Sequence, residues 1–254
     1  MSSPGPVRIA LWSGPRNIST AMMRAFENRG DTAVIDEPFY AAFLAETGID
    51  HPLREEVLAA QSADRRAVAA VLLGPVPGGR PIFYQKHMAH HMTGGDDLSW
   101  MAHCRSAFLI RSPPEVLASY AAKRRPTGLE EVGFVRQAEL FDREAQRLGT
   151  PPPVIDARDV LADPRSALTA LCAALGIPFA ETMLIWPPGP RVTDGAWAPA
   201  WYDAVERSTG FARPRPPVSL DALEGPIRAL AEAATPYYER LARHKLAVGG
   251  VGET

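Results

Sequence analysis

The sequence predicts an α/β protein whose central parallel sheet of about five strands is flanked by helices. Short apolar runs alternate with segments of helical periodicity along the first 180 residues, the pattern of strands joined by crossover helices. The apolar runs also end in polar or turn-forming residues: Gly14-Pro15, Asp36-Glu37-Pro38, Lys86-His87 and Arg111-Ser112-Pro113-Pro114. Right-handed crossovers bring such strand ends to one edge of the sheet, where open α/β proteins bind ligands. With 254 residues, 46% hydrophobic and 22% charged, the chain suffices for one domain over 1–254 with a sizeable core.

The first strand is Val7 to Trp12, ended by Ser13-Gly14-Pro15, and a helix follows from Ser19 to Arg29, with Ser19 and Thr20 suited to capping. Ala33 to Asp36 is a second strand, stopped by Pro38 so that the acidic pair sits at its C-terminal end. Residues 40–73 hold a loop around His51-Pro52 and a helix ending in the apolar run 67–73, broken by the Gly/Pro stretch 74–79. A third strand spans Pro81 to His87, and a fourth spans Ala107 to Ile110. Helices are expected from Glu115 to about Lys123 and from Glu130 to Leu148. After Pro151-Pro152-Pro153 come a short strand, Val154 to Asp156, and a helix opened by Asp163-Pro164 and closed by Gly176.

Residues 179–217 are proline-rich, hold three of the five tryptophans and show no period; a loop of this length reads as a lid or binding segment. An amphipathic helix over 220–245 should pack on the sheet, and residues 249–254 should fray.

The formal net charge of −2 gives no global field for nucleic acid or an anionic membrane. No apolar run is long enough to span a bilayer, and the N-terminus lacks the features of a secretory signal. Cys104 and Cys172 have no paired or metal-ligand spacing and read as buried, reduced thiols of a cytoplasmic protein. The expected partner is a small molecule, with no nucleic acid and no membrane; a homodimer is compatible with the chain.

Two stretches carry anion-binding chemistry. Gly14-Pro15-Arg16-Asn17-Ile18-Ser19-Thr20 joins a strand to a helix N-terminus, where free N–H groups and the helix dipole favour negative charge, and Arg16 adds a full positive charge. The nucleotide-binding pattern G-x-x-x-x-G-K-[ST] is not met. Arg111 leaves a strand end and Ser119 follows eight residues later, two turns into the next helix, a fork and a neutral donor for one phosphate.

In this order and spacing the chain resembles the sulfotransferases that use 3′-phosphoadenosine 5′-phosphosulfate (PAPS). Pro15 to Thr20 is similar to that family's P-K-S-G-T-T loop for the 5′-phosphosulfate, with Arg16 in place of Lys and Ile18 in place of Gly. Arg111 and Ser119 are similar to its 3′-phosphate site, and the stretch from Val154-Ile155-Asp156 to Leu175-Gly176-Ile177-Pro178 resembles a helix-preceding stretch of the same family. The resemblance covers residues 7–180 in outline. It implies a three-layer P-loop-NTPase-like fold, PAPS as co-substrate held by Gly14, Pro15, Arg16, Asn17, Ile18, Ser19, Thr20, Arg111, Ser119 and Arg191, and no metal. It further implies catalysis by His87 as general base with Arg16 and Lys86, with Glu37 and His90 toward the acceptor. His90 and His91 stand as alternative bases. Aligning on His87 puts Gln85 where the family has Lys and turns Lys86 to the opposite face.

Two other readings remain open: a kinase using ATP and Mg, with Asp36 and Glu37 at the metal, and a nucleotide-binding relative without transferase chemistry.

Overall fold

The structure is a computed structural model that describes residues 5–124, 126 and 128–249. From residue 250 on, the tail expected to fray lies outside them. Five parallel strands, β1 (Val7–Ser13), β2 (Thr32–Asp36), β3 (Ile82–Met88), β4 (Arg105–Ile110) and β5 (Val154–Asp156), form one sheet in the order β2-β3-β1-β4-β5. The chain leaves β1 toward β2 on one side and leaves β3 toward β4 on the other. The crevice therefore opens over the C-terminal end of β1.

The helices are α1 (Ser19–Glu27), α2 (Tyr40–Thr47), α3 (Arg54–Ala60), α4 (Arg65–Leu73), α5 (Pro113–Ala121), α6 (Leu129–Val132), α7 (Phe134–Leu148), α8 (Ala157–Ala162), α9 (Pro164–Ala174), α10 (Ala198–Trp201), α11 (Asp203–Glu206) and α12 (Gly225–Ala242). One face of the sheet, with Ile9, Leu11, Tyr84 and Leu109, packs on residues of α1, α8 and α9. The other, with Ala10, Trp12, Phe83 and Phe108, packs on α4, α7 and α12. This is the three-layer arrangement expected.

Local chemistry explains where the elements begin and end. Asp163 accepts the Ser166 amide and opens α9, with Pro164 in its first turn. Asp156 caps α8 through the Arg158 amide and accepts from the Tyr238 hydroxyl at 2.7 Å, tying α12 to the end of β5. The helix expected over 130–148 is broken at Gly133, whose φ of 74° ends α6 and starts α7. The C-terminal helix starts at Gly225-Pro226, five residues later than expected, because residues 220–222 form a separate 3₁₀ turn. Residues 179–217 are irregular apart from one 3₁₀ turn, α10 and α11. Among the described residues no helix is long and apolar enough to cross a membrane.

Candidate functional site

All five strand ends deliver polar residues to one edge. A cavity of about 850 Å³ opens there, lined by the loop from Pro15 to Thr20, by Glu37, His90 and His91, by Arg111, Ser119 and Arg158, and by parts of the segment 197–218. Its volume suits a small-molecule site.

The loop after β1 has the form of an anion cradle. Arg16 and Ile18 both adopt left-handed backbone angles, φ 58° and 35°, so consecutive N–H groups alternate in the manner of a backbone nest. A β-branched residue resists that conformation, so Ile18 keeps the angle a glycine would take at a cost of about 1–3 kcal/mol. Gly14 is needed for a different reason: a Cβ there would sit 2.8 Å from the Val132 carbonyl oxygen. The hydroxyl cap expected of Ser19 and Thr20 is not made. Ile18 occupies the N-cap position and no side chain caps α1, which leaves its first N–H groups available to a ligand.

Arg16 and Arg111 meet behind this loop. The Arg16 Nε donates to the Ser119 hydroxyl at 3.1 Å, and the Arg111 Nη1 donates to the Arg16 carbonyl oxygen at 2.8 Å. Arg111 and Arg158 share one carboxylate, Glu115. Arg16 has no carboxylate partner among the described residues; burial and the charge of Arg111 push its pKa down. The Asn17 amide donates to the Leu109 carbonyl at 2.7 Å and fixes the loop on β4.

On the far side of the loop, Glu37 follows the last residue of β2 in a left-handed conformation, φ 39°. The ammonium of Lys86 lies 2.7 Å from Glu37 Oε1, 2.8 Å from Asp36 Oδ1 and 2.7 Å from the Tyr202 hydroxyl. Tyr202 in turn donates to Asp36 Oδ2 at 2.6 Å and accepts from the Trp197 indole at 3.0 Å. This buried network ties the irregular segment to the sheet edge. Burial and the charge of Asp36 outweigh Lys86 and raise the Glu37 carboxyl to about 7. Its second oxygen, Oε2, makes no hydrogen bond among the described residues and stands 3.9 Å from His91 Nε2. His90 lies against His91, with ring centroids 4.4 Å apart. His51 accepts or donates at the Tyr40 hydroxyl at 2.8 Å, and His91 stacks on Tyr40. Burial pushes the pKa of all three down, His90 to about 3, so they are neutral near pH 7.

The model of the sulfotransferase domain matches residues 7–244. The chain belongs to the sulfotransferase-domain family. Two curated Arabidopsis thaliana relatives, named branched-chain-amino-acid aminotransferase-like protein 2 and protein 1, are 38% identical over 208 residues and 40% identical over 211. The alignments cover 82% and 83% of this chain but 36% and 37% of those proteins, so the chain spans little more than a third of their length. A sulfotransferase crystal structure from Alicyclobacillus acidocaldarius aligns with a TM-score of 0.53 at 13% identity, covering 97% of this chain and 98% of that one. At that identity the likeness is one of fold.

Within this sulfotransferase domain, the residues singled out by sequence divide into three groups. Pro15, Arg16, Asn17, Ile18, Ser19, Thr20, Arg111, Ser119, Glu37, His90 and His91 all line the one cavity. Gly14 and Lys86 stand just behind it, Gly14 under the loop and Lys86 on Glu37. His87 and Arg191 are elsewhere. His87 is 2% exposed, stacks on Trp12 with ring centroids 4.5 Å apart, and contacts Phe39 and Trp100 in the layer opposite α1. Among the described residues its one hydrogen-bond partner is Gln85 Oε1 at 3.2 Å, and burial lowers its pKa to about 3. The alternation of β3 that was expected to turn Lys86 away instead turns Lys86 to Glu37 and His87 away from the cavity. The Arg191 guanidinium is held by the Pro187 carbonyl, outside the cavity lining.

Arg213 and Arg215 line the cavity and escaped the sequence reading. Phe211 packs with Ile18 on one core cluster and Val218 packs with Ala118 on another, so the segment between them passes from the loop to α5. The Arg-Pro-Arg-Pro alternation of 213–216 is the signal that was available.

Proposed function

We propose that this domain transfers a sulfuryl group from PAPS to a hydroxyl of a small molecule, with Glu37 rather than His87 taking the acceptor's proton. The observation that carries the reading is the junction of Arg16, Arg111 and Ser119 facing Glu37 across one cavity. A nucleotide with phosphate groups at both its 5′ and 3′ ends needs two anion sites a nucleoside apart. The loop N–H groups and the start of α1 supply one, Arg111 with Ser119 supply the other, and Arg16, whose Nε donates to Ser119, joins the two. The clustered guanidinium groups are an arrangement that bound anions would relieve.

PAPS supplies the sulfuryl group: its bond to the 5′-phosphate oxygen breaks, leaving the electron pair on 3′,5′-ADP, as the acceptor oxygen bonds to sulfur. Glu37 Oε2 receives the proton that the acceptor oxygen loses. A carboxyl titrating near 7 is matched to that task at neutral pH. Lys86 holds the other Glu37 oxygen, fixing its direction, and so acts as a positioning residue. Arg16, the loop amides and the hydroxyls of Ser19 and Thr20 stabilise charge on the departing oxygen, an electrostatic and positioning strategy. The segment 197–218 closes the cavity through Tyr202, Trp197, Arg213 and Arg215, in the manner of a lid.

The kinase reading would use Asp36 to hold a cation. Both Asp36 oxygens are already engaged, Oδ1 by Lys86 and Oδ2 by Tyr202 and the Gly195 amide. Thermal denaturation with added ligands tests the choice: 3′,5′-ADP should raise the midpoint at concentrations where ATP with Mg does not. Stabilisation by ATP with Mg alone would replace the sulfotransferase reading with the kinase one.

A further inference from the structure

The charges lining the cavity are segregated. At the loop end, Arg16, Arg213 and Arg215 have no carboxylate partner among the described residues, and Arg111 and Arg158 share Glu115. At the Glu37 end the imbalance is reversed: Glu37, which lines the cavity, and Asp36, buried outside its lining, share the single ammonium of Lys86. Among the described residues the other cations near that end are matched. Lys123 pairs with Asp203, Arg124 with Glu131, and Arg65 with Glu46 and Asp96. The three neutral imidazoles, His51, His90 and His91, add no positive charge.

Glu37 is 8% exposed and His91 is 3% exposed, yet both line the cavity. Glu37 Oε2 and His91 Nε2 form no hydrogen bond among the described residues. These two atoms therefore face the acceptor end without hydrogen-bond partners, and Glu37 Oε2 is an acceptor when Glu37 is ionised. Around them stand the aromatic rings of Tyr40, Trp197 and Trp201, surfaces that attract cations as well as flat apolar groups.

We propose that the acceptor is a small hydroxyl compound carrying a protonated amine, and that anionic acceptors are excluded by the Asp36–Glu37 pair. This rests on the PAPS reading above. The hydroxyl gives its proton to Glu37 Oε2, while the ammonium lies against the aromatic rings within the field of that carboxylate. The charge it brings balances the second carboxylate, which Lys86 alone leaves in excess. The same pair repels a carboxylate or phosphate on the acceptor, so the two substrates sort to opposite ends of one cavity by charge.

The test is a series of three phenols that differ chiefly in tail charge, tyramine (cation), tyrosol (neutral) and 4-hydroxyphenylacetate (anion), titrated calorimetrically at pH 8 into the domain saturated with 3′,5′-ADP. Tyramine should bind at least 10-fold tighter than 4-hydroxyphenylacetate, with tyrosol between them. In Glu37→Gln the gap between cation and anion should shrink at least threefold, a binding readout that does not depend on turnover. Equal binding of cation and anion, a reversed order, or no binding of tyramine at 10 mM overturns the proposal. Failure of 3′,5′-ADP itself to bind would overturn the PAPS reading instead, which keeps the two failures apart.

Discussion

The guanidinium of Arg111 donates to the carbonyl oxygen of Arg16 at 2.8 Å, so the residue at the end of β4 holds the loop that follows β1. The Arg16 side chain returns to Ser119 on the helix after Arg111. The two anion sites are thus parts of one assembly, and neither changes alone. Arg16→Ala and Arg111→Ala should each weaken 3′,5′-ADP binding by about 10- to 100-fold, the range of about 1.5–3 kcal/mol for a hydrogen bond to a charged group. The double variant should lose less than the sum, since each single change already loosens the other site. Calorimetric titration of the four proteins measures the coupling.

Glu37→Gln should lower kcat by about 10²- to 10⁴-fold, the usual contribution of a general base, with 3′,5′-ADP affinity unchanged within about threefold. In the native protein kcat should rise as pH rises through about 7, because Glu37 must lose its proton before it can accept one. That limb should vanish in the variant. A pH–rate profile on each protein checks both statements.

His87→Phe should keep activity within about threefold, because His87 sits in an aromatic box outside the cavity. It should also change the acid limb of stability. Burial lowers the folded-state pKa of His87 from 6.5 to about 3, so its neutral form contributes stability above pH 6.5 that is lost as pH falls toward 3. In that window the slope contributed by one such group is about 1.4 kcal/mol per pH unit. Glu37 acts in the opposite sense: its pKa is raised from 4.5 to about 7, so the stability it contributes is present below 4.5 and lost as pH rises through 7. Urea denaturation of native and His87→Phe proteins between pH 4 and pH 6 should show a shallower decline in the variant.

Lys86→Met should destabilise the fold by about 3–5 kcal/mol, since it leaves Asp36 and Glu37 buried without their shared cation. For a chain of this size the melting temperature should drop by roughly 6–20 °C. Glu37 should then titrate higher, and the variant should regain stability as pH is lowered toward 5.

Ile18→Gly should be tolerated, with stability changed by less than about 1 kcal/mol. Relief of the left-handed strain at φ 35° offsets the loss of Ile18 packing and the added freedom of glycine in the unfolded chain. Denaturant midpoints measure the balance, and retained 3′,5′-ADP binding would show that the loop keeps its path.

Much of this fold was legible because apolar runs bounded by glycine, proline or charge mark buried strands, as at Val7 to Trp12 and Ala107 to Ile110. The anion loop was legible for the same reason, since its position between strand and helix depends on local sequence. The faces of β3 were not. Every residue from Ile82 to Met88 is buried, so the strand lacks the alternation that would have separated Lys86 from His87, and the two exchanged places. The pairing of Asp36 and Glu37 with Lys86 joins residues about fifty positions apart, and Tyr202 enters from more than a hundred further on. Arg213 and Arg215 lie in a segment with no period, where only the tertiary path brings charge to the cavity. Arg191, a basic residue from the same segment, is held on a backbone carbonyl instead.

The central claim is that the cavity grips one nucleotide by phosphates at both of its ends. Comparing the dissociation constants of 3′,5′-ADP and 5′-AMP by calorimetry tests it most directly, because the two ligands differ only in the 3′-phosphate. The account predicts that 3′,5′-ADP binds at least 30-fold more tightly, an advantage that falls below threefold in Arg111→Ala. Equal affinity for the two nucleotides in the native protein would contradict it.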